Sequence, residues 1–180
     1  MRLAPRKRAV PLLRMFAAAR EQLRAQDPDQ RITLAIAGDG PHRSRLQTFL
    51  DDHRLSDDVT LLGRLTRPDL RRLYLGSDVF VQPSIKESFG LAALEARATG
   101  LPVLARAQTG LTEFIADDVN GMLADDDDLL ARDMARIATD DGLRERITRH
   151  NTDVPPVQVW PEVLRLVAEA YDVAIAARCP

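Results

Sequence analysis

Lysine and cysteine are nearly absent from this sequence. All but two of its 25 basic residues are arginine, the exceptions being Lys7 and Lys86. We read that bias as codon preference in the source genome, not as chemistry. Cys179 is the only cysteine, so no disulfide can form within the chain, and a reducing, cytoplasmic setting is expected. The longest apolar runs fall far short of a membrane span. The basic start (Arg2, Arg6, Lys7, Arg8, Arg14) is followed by no signal-peptide core, because Arg14 and Arg20 break the apolar stretch after Pro11. Net charge is −2 and the isoelectric point about 5.9, so nothing calls for a nucleic-acid partner or an anionic membrane. His42, His53 and His150 stand at no metal-ligand spacing. Ser84 and Ser88 lack the glycine pattern of a nucleophile elbow. Gly38-Asp39-Gly40 could open a dinucleotide fingerprint, but Arg43 stands where the third glycine is needed.

What is present is an alternation of short apolar runs with helical periodicity. The 180 residues, 45% of them hydrophobic, suit one domain with a real core. Apolar residues at Val10, Leu13, Phe16, Ala17 and Leu23 predict a helix over 9–25, stopped at Asp27-Pro28-Asp29. Strands are expected at 32–37, 59–62, 79–81, 102–105 and 121–123, separated by helices at 41–53, 68–75 and 89–99 and a turn or two of helix at 110–115. Helices follow at 126–138 and 142–149, then a proline-broken connection and a terminal helix over 161–177, with Trp160 and Tyr171 anchoring it. This pattern predicts an α/β fold: a Rossmann-like parallel sheet with helices on both faces. The organisation expected is a nucleotide-binding unit over 1–150, with 151–180 a linker and terminal helix packed on it. The acidic run Asp125 to Asp128 lacks the glycine a calcium loop needs, since Ala131 stands there, and reads as an acidic first helical turn.

Ligands of open parallel sheets bind beyond the carboxyl ends of the strands. The most informative such loop runs from Pro83 through Glu87, Ser88, Phe89, Gly90 and Leu91 into the helix that carries Glu95. The free N–H groups of Ser88 to Leu91 at that helix start would form an anion site, and Gly90 has no side chain to obstruct a phosphate. The helix is apolar almost all round, so Glu95 is expected to be buried, and a buried carboxylate needs a partner such as a sugar diol.

Glu87-Ser-Phe-Gly-Leu-Ala-Ala-Leu-Glu95 resembles the two-glutamate signature of family-4, group 1 glycosyltransferases of the GT-B fold. The rest of the chain resembles the C-terminal, donor-binding domain of that family, in order: Gly38-Asp39-Gly40-Pro41, Leu61-Leu62-Gly63-Arg64-Leu65, Ser77 to Ser84, Ala98 to Val103 and Asn120-Gly121-Met122-Leu123. The resemblance implies a retaining hexosyltransferase that uses a UDP- or GDP-sugar, without metal or cofactor. It places Glu95 on the ribose, Glu87 beside the donor sugar, and Ser88, Phe89, Gly90 and Leu91 at the sugar and diphosphate. It places Leu65 by the base, and Arg2 and Lys7 on the diphosphate as its charge grows at bond cleavage. The Thr109-Gly110-Leu111-Thr112-Glu113 loop departs from the family pattern, which has a second glycine before it and a proline before the glutamate. Relative to the family, the chain also begins after a strand expected to be central to the sheet and after the whole acceptor-binding domain. Two strand edges are therefore expected to be unpaired, with marginal stability or association with a partner chain. The acceptor (glycan, lipid or small molecule) and any peripheral membrane contact would fall to that domain. A nucleotide-sugar-binding module or inactive fragment, and a sugar-nucleotide epimerase, are the alternatives.

Overall fold

The structure, a computed structural model, describes residues 3–157 together with Arg165 and Glu169. Arg2, Trp160, Tyr171 and Cys179 lie outside the described residues, as does the expected terminal helix apart from Arg165 and Glu169, which are helical and ion-paired.

A three-residue 3-10 turn, Pro5–Lys7, leads into helix α1, Ala9–Gln26. One stripe of α1 (Leu12, Phe16, Ala19, Leu23) is buried, as its three-to-four-residue spacing requires. Burying a side chain such as Phe16 contributes about 1.5–3 kcal/mol. Then follow β1 (Leu34–Ala37), α2 (Arg43–Asp52), β2 (Val59–Gly63), α3 (Arg67–Leu75), β3 (Phe80–Gln82) and α4 (Leu91–Arg97). The remainder is β4 (Val103–Arg106), a 3-10 turn at Gly110–Glu113, β5 (Gly121–Ala124), α5 (Asp127–Thr139) and α6 (Asp141–Asp153). Helix α6 therefore runs into the stretch expected to be a connection. It continues because Asn151, 2% exposed, is drawn into the interior by hydrogen bonds to Leu101 O and Asn120 O.

Every strand pair is parallel, and helices cover both faces of β3, β4 and β5. Along β4 the sides alternate. Leu104 packs in the main core with α1 and α5, while Val103 and Ala105 pack with Ala93 of α4 and with Leu111 and Phe114.

The strands do not form one sheet. Among the described residues β1 pairs only with β2, and β3–β4–β5 form a separate sheet. Between β1 and β3 lies a cavity of about 910 Å³, walled by residues 32–37 on one side, 79–82 on the other, and Leu12, Phe16, Met134 and Ile137. Exposure follows this split: β4 is buried along most of its length, whereas Ala35 in the middle of β1 is exposed. The two facing edges are the inner gap expected from the sequence.

Candidate functional site

The carboxyl end of β3 opens directly into the loop singled out in the sequence. Gln82 ends the strand and Pro83 and Ser84 turn under cover; the chain then surfaces at Ile85 and Lys86 before reaching Glu87. Phe89 anchors the loop against Phe114, with ring centroids 5.7 Å apart. Gly90 then adopts φ 82°, ψ 50°, a left-handed conformation that turns the chain into α4. A Cβ on Gly90 would stand 2.6 Å from Leu111 Cδ1, so the missing side chain makes room for Leu111 as well as for any ligand. The loop is also fixed from behind by Gly110. Its N–H donates to Glu87 O at 2.9 Å, and a Cβ there would fall 1.7 Å from Ser88 O.

Two charged residues 80 positions apart meet at this loop. Lys7 Nζ donates to Glu87 Oε2 at 2.7 Å, and Gln82 Nε2 donates to the same oxygen at 3.0 Å. The backbone N–H groups of Ser88, Phe89 and Gly90 meet no acceptor among the described residues. An ammonium group, a carboxylate and a run of unused N–H donors therefore share the mouth of the cavity, which Lys7 and residues 87–92 line. Such a set can take an anion on the lysine and N–H side and polar hydroxyls on the carboxylate.

Neither of the other two described candidates lines that cavity. Leu65 is half-buried just beyond the carboxyl end of β2. Glu95 was expected to be buried, but it is exposed. The reason is that α4 buries only one side, Ala93, Ala96 and Arg97, while Leu91 is left 66% exposed on the other. Apolar composition all round a helix did not mean burial all round. Glu95 stands close enough to Tyr74 to act on it. Burial first, and then the Glu95 charge, push the Tyr74 hydroxyl up to about 12. Glu113, in the loop that departs from the family pattern, is exposed.

The sequence reading missed four residues. Gln82 could have been found, since it ends a strand at the edge where ligands bind. Arg8, Arg106 and Asp127 could not, because no linear spacing relates residues this far apart. Arg8 Nη1 and Nη2 fork onto the two carboxylate oxygens of Asp127 at 3.0 and 2.7 Å. Arg106 Nη1 reaches the same carboxylate at 2.6 Å. Hydrogen bonding from Arg8, together with the charges of Arg8 and Arg106, outweighs burial and holds the Asp127 carboxyl below its ordinary value. Asp127 does lie in the acidic first turn expected of α5, where Asp126 caps the helix by accepting from Leu129 N at 2.7 Å. Ser84 Oγ is buried with no hydrogen-bond partner among the described residues. No group of three or more His, Cys, Asp or Glu among the described residues could hold a metal, and no helix among them is long and apolar enough to cross a membrane.

Comparison with known proteins places this geometry in a family. The D-inositol 3-phosphate glycosyltransferase of Salinispora arenicola is 36% identical over 99% of this chain, which spans 41% of that protein's length. The solved C-terminal domain of a glycosyl transferase group 1 family protein (LpcC) from Francisella tularensis superposes with a TM-score of 0.69 at 26% identity, covering 84% of this chain and 79% of that one. HepE of Anabaena, solved in complex with UDP-glucose, superposes with a TM-score of 0.77 at 24% identity, covering 96% of this chain and 47% of that one. The model of the family described as glycosyl transferases group 1 matches residues 1–153, and the chain belongs to that family.

Proposed function

We propose that this chain binds the donor of a retaining, metal-independent hexosyltransferase of family 4, which moves a hexose from a UDP- or GDP-sugar to an acceptor hydroxyl. The observation that carries the reading is the meeting of Lys7 and Glu87 beside the unused N–H groups of Ser88, Phe89 and Gly90. The diphosphate lies on those N–H groups and Leu91, within reach of Lys7, and the family resemblance assigns Arg2 to it as a second cation. When the bond from the anomeric carbon to the diphosphate breaks, its electron pair passes to the leaving phosphate oxygen, and the two cations neutralise the charge that grows there. Glu87 accepts from the donor sugar, Glu95 from the ribose diol, and Leu65 packs by the base. The acceptor oxygen bonds to the anomeric carbon on the face the leaving group vacates, and its proton passes to the leaving phosphate oxygen. The UDP-glucose complex of HepE and the kinship with group 1 enzymes support a nucleotide-sugar donor.

Calorimetric titration with UDP, GDP and their glucose and mannose forms tests the donor site. Binding of one base series is expected, with affinity reduced about ten-fold by Glu95→Ala, since hydrogen bonds to a charged group contribute about 1.5–3 kcal/mol. Failure of the folded chain to bind any of them, or binding indifferent to Glu95→Ala, would remove the assignment. Product analysis with a binding-competent donor separates transfer from binding alone.

A further inference from the structure

Lys7 sits in a segment with little hold of its own. The 3-10 turn Pro5–Lys7 has three residues, none buried, and no side-chain cap. The lysine carries a flexible four-carbon stem, and ordering such a side chain costs rotamer freedom. Yet Lys7 Nζ stands 2.7 Å from a carboxylate 80 residues away. Something must register the turn against the loop that carries Glu87.

Arg8, the next residue, meets that need. Its backbone is held at φ 53°, ψ 37°, a left-handed conformation that is strained for a residue other than glycine. Its guanidinium ties three places together. It forks onto Asp127 at the start of α5, Nη1 also donates to Pro83 O at 3.0 Å, and the Arg8 backbone joins the Lys7 turn to α1. Pro83 lies four residues before Glu87 in the same loop. Asp127 is in turn gripped from the other side by Arg106, whose Nε also donates to Ala124 O at 3.2 Å. One carboxylate between two guanidinium groups thus fixes the backbone on both sides of the Lys7–Glu87 pair.

We propose that Asp127, acting through Arg8, is a positioning residue that sets Lys7 against Glu87, and so presents the lysine to the donor diphosphate; the last step rests on the function proposed above. The plain alternative is a half-exposed ion pair that only adds a little stability. The two differ in what happens to Lys7.

The whole chain offers an internal reference, because Lys86 is its only other lysine and is exposed. Competitive acetylation with acetic anhydride, read by peptide mass spectrometry well below the melting temperature, gives the Lys7 to Lys86 reactivity ratio. Asp127→Asn keeps the shape but replaces one accepting oxygen of the fork with a donor. It is expected to raise that ratio about five-fold, the scale of coupling within one ion-pair network. If Asp127→Asn fails to fold, Arg8→Gln takes its place, losing the charge and the fork without adding a lysine, with the same rise expected. An unchanged ratio in a folded variant overturns the proposal. UDP titration of Lys7→Ala, Asp127→Asn and the double variant then separates the two readings. A double variant no worse than Lys7→Ala alone is the expected result. Losses that add, or no loss from Asp127→Asn where Lys7→Ala weakens UDP binding, overturn the positioning role. Indifference of UDP to Lys7→Ala would instead defeat the placement of Lys7 on the diphosphate, with the labelling still deciding what Asp127 does.

Discussion

Tyr74 carries a direct record of its surroundings. Its ring meets Phe80 edge-on, and its hydroxyl is pushed to about 12 by burial first and then by the Glu95 charge. The folded value lies above the ordinary 10.0, so the associated stability is fully present below pH 10.0 and is lost as pH rises through about 12. Ultraviolet titration of a Tyr171→Phe chain, which leaves Tyr74 as the only tyrosine, is expected to show a midpoint near 12. A midpoint near 10 would mean that the Tyr74 pocket is open. At this scale the sequence was uneven. Glu87 and Lys7 were legible because they stand in patterned segments. The exposure of Glu95 was not, because a helix of small apolar residues does not announce which side faces the sheet.

Elements are held here by contacts that a single atom can break. The turn Gly110–Glu113 lies so close to Ser88 that no side chain fits at Gly110. Gly110→Ala is expected to displace the Ser88–Phe89 loop, costing roughly 1–3 kcal/mol and weakening UDP binding. At Gly142, near the start of α6, a Cβ would find Asp140 Oδ1 no closer than 3.6 Å. Gly142→Ala should therefore leave UDP binding intact and raise stability by about 0.4–1 kcal/mol. Chemical denaturation of both variants, with a UDP titration of each, checks the contrast; equal effects at the two positions would contradict it. Helix α6 is secured by Asn151, which donates to Leu101 O and Asn120 O and accepts from Arg97 Nε at 3.2 Å. Burial lowers the Arg97 pKa. Asn151→Ala leaves the buried Arg97 Nε and two carbonyls without this partner, although the guanidinium keeps Phe114 O and Val154 O, and a loss of about 2–4 kcal/mol in denaturant unfolding is expected. A loss under 1 kcal/mol would show that water replaces the amide.

Across the whole molecule the division of the sheet is the controlling feature. Strand β4 has neighbours on both sides, whereas β1 and β3 each border the cavity between them. Local opening should follow that order. Hydrogen–deuterium exchange is expected to be slowest in Val103–Arg106 and faster in Leu34–Ala37 and Phe80–Gln82. Equal protection of β1 and β4 would mean that the cavity closes in solution.

The sequence by itself determined the element order, the parallel α/β architecture and the loop that carries Glu87 from β3 into α4. These depend on hydrophobic period, glycine and proline, all of which act over a few residues. The tertiary structure decided which candidates meet. It brought Lys7 to Glu87, left Glu95 and Leu65 off the cavity wall, and recruited Arg8, Arg106 and Asp127. Ion pairs between residues 80 or 119 positions apart depend on how helices and strands pack. Packing depends on the whole set of buried side chains at once, and no local pattern encodes it.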